Sequence, residues 1–239
     1  MRGIPPRWPE GTQVPMRMGT AGAPLIALCL AATTPARAEE LPTRFEAAVR
    51  AAVGFPIGNA TGETTRAPSG TSLSDLVSWT VPLELELGAR IGPAFVGGYV
   101  SYGFGKAGSA LEGGTSRSAN NVRFGFEVLW HLGPDRPVDP WVGLGVGYEW
   151  LNLSIGTASG ALTGTARGFE WVNLQLGIDF LLGRSFRLGP FVRSRVAQYD
   201  TGSLGLINQQ GGEASSTGDI QSKAVHTWID VGLRFAFLL

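Results

Sequence analysis

The sequence predicts an all-β chain folded as an eight-stranded antiparallel up-and-down transmembrane β-barrel. Three observations predict it. Segments of about ten residues alternate apolar and polar side chains, and ten residues is what a tilted strand needs to cross a bilayer. The connections between these segments are long and short by turns. The last fifteen residues, 225–239, alternate to the final position, with Ile229, Val231, Leu233, Phe235, Phe237 and Leu239 on one face and Asp230, Gly232, Arg234 and Ala236 on the other. A strand has a side-chain period of two, so this segment is greasy on one side and carries a carboxylate and a guanidinium on the other.

Composition sets the limits. The chain has 239 residues, 35 of them Gly, with 19 basic and 19 acidic side chains. Length allows one all-β domain. No run of apolar residues is long enough for a membrane-spanning helix. Lys106 and Lys223 are the only lysines and no basic patch exists, which argues against a nucleic-acid partner.

The N-terminus reads as a secretory signal, residues 1–38. Arg17 supplies a positive charge, residues 21–32 an apolar stretch, and Ala36-Arg37-Ala38 a cleavage site before Glu39-Glu40. The Pro-rich stretch ahead of it is unlike a signal, so Met16 or Met18 is a candidate true start. Cys29 lies inside the apolar stretch behind Leu28, where a lipoprotein signal would want a small residue. The chain after residue 38 then has no thiol chemistry. Removing 1–38 takes away Arg2, Arg7, Arg17, Arg37 and Glu10 and leaves a net charge of −3. Residues 39–43 form a short periplasmic segment and 44–239 the barrel.

Eight strands follow. The first, Phe45–Phe55, carries Glu46 and Arg50 on its polar face. The second, Val77–Ile91, sets Glu84, Glu86, Gly88 and Arg90 against Trp79, Val81, Leu83, Leu85 and Leu87. The third, Phe95–Phe104, is apolar on both faces, which leaves its register open. The fourth, Asn121–Leu132, sets Arg123, Gly125, Glu127 and His131 against Val122, Phe124, Phe126, Val128 and Trp130. The fifth, Trp141–Leu151, has Gly143, Gly145, Gly147 and Glu149 on one face. The sixth, Glu170–Leu181, sets Asn173, Gln175, Gly177 and Asp179 against Val172, Leu174, Leu176, Ile178 and Phe180. Its parity points Glu170 outward, at the end of the strand where it can reach water. The seventh, Phe186–Gln198, carries Arg193 and Arg195 and contains Pro190, which lacks a ladder donor. The eighth is Val225–Leu239.

Connections 58–75, 105–119, 152–168 and 199–223 are long and polar, whereas Gly92-Pro93, 133–140 and 182–185 are short. In an antiparallel meander, alternate turns lie at opposite ends. One end therefore holds four long loops, and the other holds three turns and both termini. This is the asymmetry of outer-membrane barrels, with loops outside and turns in the periplasm.

Alternation alone also fits a soluble barrel with a greasy inside. Three features favour lipid outside. The polar face is built of Gly and paired charges, with no Lys on any strand. The apolar face is too bulky for an interior that eight strands let side chains just fill. Large aromatics sit at strand ends: Trp79, Tyr102, Phe104 and Trp150 at the long-loop end, Trp130 and Phe237 at the other, as interface girdles do. An Arg facing lipid near the midplane costs about 2–4 kcal/mol, and the strand arginines all share a face with polar groups.

The inward set is Glu46, Arg50, Glu84, Glu86, Arg90, Arg123, Glu127, Glu149, Asp179, Arg193, Arg195, Asp230 and Arg234, with His131. Near-equal acids and bases in a confined space predict mutual pairing, because an unpaired buried charge is expensive. The lumen is expected to be plugged by this network. A small-solute pore is the alternative.

Motifs for other chemistry are weak. Gly143-Leu144-Gly145-Val146-Gly147 lies within a strand and opens no helix, so it is not a dinucleotide loop. His131 and His226 are the only histidines, are expected at opposite ends, and make no metal site. No Ser is placed beside His226 by spacing, so a lipid-modifying enzyme is the least favoured reading. No catalytic residue, metal or cofactor is expected. The sequons at Asn59 and Asn152 are chance matches.

The pattern resembles the small eight-stranded outer-membrane barrels, the OmpX type and the transmembrane domain of the OmpA type. The resemblance covers residues 44–239 and is architectural; segments such as 140–150 look like many Gly-rich barrel strands. It implies an envelope or surface-interaction role without catalysis, a monomer in contact with outer-membrane lipids and lipopolysaccharide, and assembly through the C-terminal strand. With the chain ending at its eighth strand, the periplasmic domain of full OmpA-type proteins is not expected. Two departures stand out. The loops, rich in Gly, Ser and Thr, lack the protruding strands of an OmpX-like barrel. The last residue is Leu239 where such barrels usually end in Phe.

A closed barrel resists detergent until heated. The protein in an outer-membrane fraction is therefore expected to migrate differently in a gel before and after boiling; identical migration would exclude the barrel.

Overall fold

A computed structural model describes residues 43–64, 69–109, 116–158, 160–183, 185–208 and 213–239. The signal segment 1–38, with Met16, Met18 and Cys29, lies outside the described residues. In chain order the elements are β1 (Thr43–Thr61), β2 (Thr71–Ser72), α1 (Leu73–Leu76), β3 (Val77–Ile91), β4 (Ala94–Ala107), β5 (Ser116–His131), β6 (Val138–Thr157), β7 (Gly160–Leu182), β8 (Phe186–Asn208), β9 (Glu213–Asp219) and β10 (Val225–Leu238).

Eight of these strands close a ring. Each of β1, β3, β4, β5, β6, β7 and β8 pairs antiparallel with the next, and β10 joins the two ends. It pairs with β1 from Glu46↔Leu238 to Gly58↔His226 and with β8 from Val225↔Gln198 to Phe237↔Phe186. Closure removes the unpaired backbone edges that hydrocarbon would not tolerate.

The two faces sort as the alternation predicts. Val49, Leu83, Val100, Phe126, Leu144, Leu174 and Leu233 are among the large apolar side chains that point out, Phe126 with 74% of its surface exposed. The charged side chains along the middle of the ring strands point in and are buried, whereas Arg44, Lys106, Arg117 and Arg167 toward strand ends are exposed. An apolar exterior around a charged interior is the inside-out arrangement of a transmembrane barrel. The open register of the third strand resolves with Phe95, Tyr99 and Ser101 inward and Val96, Val100, Tyr102 and Phe104 outward.

Glycine makes the narrow interior possible. Interior aromatic side chains press against glycines of other strands: a Cβ on Gly177 would come within 2.3 Å of the Trp141 indole, and one on Gly147 within 2.4 Å of the Tyr99 hydroxyl. The short turns are tight for a related reason. Gly92 and Gly183 sit at φ of 58° and 86°, a left-handed conformation that a Cβ disfavours.

Three expectations need correction. Glu170 points inward and is fully buried. A β-bulge causes this: Gly147 pairs with Glu170 and Gly145 with Asn173, so Trp171 and Val172 together oppose one residue of β6. Both point out, and the parity of β7 flips between Glu170 and Asn173. Second, the stretches expected to be loops at 152–168 and 199–223 are largely strand. Beyond the ring, β6 and β7 pair to Thr157↔Gly160, β7 and β8 to Gly160↔Asn208, and β9 adds to β8 from Thr201↔Asp219 to Ile207↔Glu213. They form the protruding sheet that the Gly- and Ser-rich composition concealed. Third, β4 runs past Phe104, so Lys106 lies on a strand, exposed at its loop end.

The contact between Gly177 and Trp141 generates a prediction. Gly177→Val must displace the indole and is expected to cost about 1–3 kcal/mol, the range for overpacking a filled core. Gly218→Ala, where nothing lies within 4 Å of the added methyl, should leave stability unchanged. Urea unfolding in detergent or lipid checks both.

Candidate functional site

Inward alternation on eight strands stacks charged side chains in rows, and the rows join into one ladder. At the short-turn end, Asp139 accepts from the Gly133 amide at 3.0 Å and from Arg187 at 2.6 Å; His131 Nδ1 is 2.8 Å away. Arg187 also donates to the carbonyl of Pro134. Arg90 links Asp139, at 3.2 Å, to Glu46, at 3.1 Å. Arg234 on the closing strand gathers Glu46 at 2.5 Å, Asp179 at 2.8 Å and Glu86 at 3.2 Å.

The middle of the barrel continues it. Arg50 pairs with Glu86 and Glu84 and donates to Gln175 Oε1 at 2.7 Å; Gln175 donates in turn to Glu127 at 2.6 Å. Glu84 also takes Arg193 at 2.6 Å and Arg195 at 2.9 Å, and both arginines reach Asp230. The hydrophobic part of this layer is Ala52, Phe95, Leu129, Trp141 and Phe191. The Arg50 guanidinium lies 5.5 Å from the Trp141 ring and 5.3 Å from that of Phe191, and the Trp141 indole donates to Asp179 at 3.0 Å. Cation–π contact and a satisfied N–H explain why these aromatics stand among charges.

Toward the long-loop end, Glu170 lies 3.6 Å from Arg195 and 4.0 Å from Arg123, and accepts from Tyr99 at 2.8 Å. Arg123 pairs with Glu149 at 3.0 Å. Glu149 accepts from Tyr199 and from the Trp228 indole, with His226 Nε2 at 3.5 Å. His226 stacks on Tyr199 with 4.2 Å between ring centres.

All thirteen lumen residues named from parity therefore lie in the interior, with His131. Asn173 and Gln175, read on the polar face of the sixth strand, are buried there too, and the geometry adds Asp139, Arg187, Glu170 and His226. Asp139 lies two residues ahead of the fifth strand as read from sequence, where extending the alternation would have found it, and Arg187 lies within the seventh strand at the parity of Arg193 and Arg195. Glu170 had no sequence signal, because a bulge leaves none.

A hydrophobic cap covers the ladder at the long-loop end. Leu73 of α1 packs fully buried against Ala60, Val77, Ala119, Leu151, Tyr199 and Trp228, with Leu76, Leu153, Ala166 and Ile220 around them. The short helix α1 thus lies over the mouth, tied down by the Gly108 amide donating to the Leu76 carbonyl at 2.8 Å. The cap and the protruding sheet together line an open, largely apolar recess of about 450 Å³. His226 lies beneath this cap and is buried.

The named aromatics stand on the outer wall: Trp79, Tyr102 and Phe104 at one end and Trp130 at the other are exposed, Trp150 and Phe237 half-exposed. Phe124, Tyr148 and Trp150 cluster near the loop end, and Phe186, Phe235 and Phe237 at the turn end.

No family model matches the sequence, and no curated protein matches it. Solved structures do. A major outer membrane protein from Thermus thermophilus aligns over 82% of this chain and 99% of its own, with 15% identity and a TM-score of 0.53. The neisserial surface protein A covers 82% and 96% at 10% identity and a TM-score of 0.44. The N-terminal β-barrel domain of Pseudomonas aeruginosa OprF covers 83% and 100% at 14% identity and a TM-score of 0.40. The likeness to the Thermus protein is one of fold. The protein has the fold of a small outer-membrane barrel.

Arg234 holds three carboxylates from three other strands. Arg234→Ala leaves Glu46, Glu86 and Asp179 short of a partner and is expected to cost about 3–5 kcal/mol, the penalty for orphaning a buried charge. Lys223→Ala breaks only the exposed pair with Asp200 and should not change stability. Equilibrium unfolding of the two variants checks the contrast.

Proposed function

We propose that this protein is an integral outer-membrane barrel with a closed lumen and a structural or surface-interaction role. The observation that carries the reading is the continuity of the ladder, from Arg187 and Asp139 at one mouth to Glu149 and His226 at the other, with α1 and its apolar neighbours over the second. A diffusive path would have to part several ion pairs at once, each in a place where water does not compensate the charges. The interior serves to hold the wall rigid, and contact with other molecules falls to the outside.

The three short turns face the periplasm in this reading, and the long connections face outward. Phospholipid and lipopolysaccharide cover the apolar wall. Lys106 and Arg117 share a recess with Trp79 and Phe104 at the loop end, where a lipopolysaccharide phosphate would lie. The protruding sheet is the natural contact surface: Leu204 and Leu206 are exposed on it, and β9 pairs only with β8 among the described residues. The C-terminal strand carries the assembly signal, and the protein acts as a monomer without a cofactor.

Planar-bilayer recording tests the closed lumen. The purified protein is expected to give no stable conductance, while Arg50→Ala combined with Arg234→Ala, if it still inserts, gives intermittent openings. A steady open pore from the unaltered protein would overturn the reading in favour of small-solute passage.

A further inference from the structure

The ladder ends at the short-turn mouth in a concavity that its own pairing leaves positively charged. A cavity of about 240 Å³ opens there, bounded by Arg44, Arg90 and Arg187, by Asp135, and by Pro93 and Leu238. Arg90 and Arg187 are built-in groups rather than surface side chains: 4% and 5% of their side-chain surfaces are exposed. Each has both terminal nitrogens engaged, Arg90 on Glu46 and Asp139, Arg187 on Asp139 and the Pro134 carbonyl. Each also keeps a buried Nε–H with no partner. A buried donor left unsatisfied is costly; Arg50, Arg123 and Arg195 also keep such donors inside the lumen, whereas Arg90 and Arg187 line a cavity that an acceptor can enter.

The protein's own carboxylates do not supply it. Asp139 lies deeper and already takes Arg90, Arg187, His131 and the Gly133 amide. Glu46 is shared between Arg90 and Arg234. Asp135 is the one acid on the cavity wall, against three guanidiniums, and exposed Arg136 beside it adds a further positive charge. Guanidiniums held in fixed geometry by other contacts are suited to planar or tetrahedral oxyanions, and little side-chain entropy remains to be lost on binding.

We propose that the short-turn mouth is an oxyanion-binding site in which Arg44, Arg90 and Arg187 receive one phosphate or carboxylate group. The chemistry is shared by a dissolved oxyanion and by a phosphate on a lipid headgroup beside the turns. Arg44, exposed at the rim, attracts the group; Arg90 and Arg187 orient it.

The test follows the arginine Nε–H signals by NMR in protein labelled with 15N-arginine, held in maltoside micelles free of phospholipid, as inorganic phosphate replaces chloride at constant ionic strength. Arg90 and Arg187 are expected to shift saturably, with Kd of about 1–10 mM, as suits a site of a few charged hydrogen bonds. Arg44→Glu should weaken binding by about tenfold and Asp135→Asn should tighten it by two- to threefold, about 1.4 and 0.5 kcal/mol. Both substitutions are at exposed positions and leave the ladder intact. A second arm repeats the titration in phospholipid nanodiscs. Signals already at their saturated positions, and unmoved by phosphate, assign the site to headgroups; a repeat of the micelle titration assigns it to dissolved oxyanions. The proposal fails if phosphate moves neither signal beyond the chloride control, or if Arg44→Glu and Asp135→Asn leave the titration unchanged. Neither result depends on whether the lumen conducts.

Discussion

Eight strands enclose a space that side chains alone must fill, in a surrounding that offers no water to compensate a charge. The rest of this structure answers that constraint. Among the described residues, nine carboxylates, seven arginines and two histidines are buried in the barrel, and the carboxylates and guanidiniums are distributed so that nearly every one touches an opposite charge on another strand. Arg234, Arg50 and Glu84 each bridge three or more partners, so the pairs are not independent. Guanidinium makes this possible, since its planar fork can serve carboxylates on several strands at once, which an ammonium cannot do with the same geometry. The near absence of Lys from the wall has the same origin.

Packing is the second half of the answer. The interior holds whole indole, phenyl and phenol rings among its charges, and it can do so because glycine stands opposite them. Trp141 lies on Gly177, Tyr99 on Gly147 and the Leu129 side chain on Gly143. The large residue and the missing side chain are two parts of one fitted surface. Much of the glycine that makes the composition unusual is thereby explained by space rather than by backbone freedom. The rings return something to the charges, through cation–π contact with Arg50 and Arg123 and through indole N–H bonds to Asp179 and Glu149.

The two ends of the barrel differ in how they finish. At the long-loop end the charges stop beneath an apolar cap, Leu73 with Val77, Leu151 and Trp228, and the wall continues outward as a sheet. At the short-turn end the ladder stops at arginines whose hydrogen bonding is incomplete. A polar network confined in a tube has to terminate somewhere, and the means of termination gives each mouth its chemistry: greasy and covered on one side, cationic and open on the other.

The ring, its closure and its inside-out polarity are legible in the sequence, because a period of two assigns each side chain to a face and every strand charge but Glu170 falls on one. Glu46, Arg50, Glu84 and Arg234 could be placed in the lumen with no knowledge of their neighbours. What it could not determine was any feature that depends on which residues meet across the barrel. Glu170 faces inward because one extra residue in β7 shifts the parity, and a bulge is set by pairing to β6 and β8 rather than by composition. The protruding strands were hidden because Gly, Ser and Thr read as loop until a neighbouring strand supplies their hydrogen bonds. Leu73 became a cap, and Arg90 and Arg187 one site, only when the tertiary fold brought distant segments together. Alternation is a local property of the chain, whereas partnership is a property of the closed barrel.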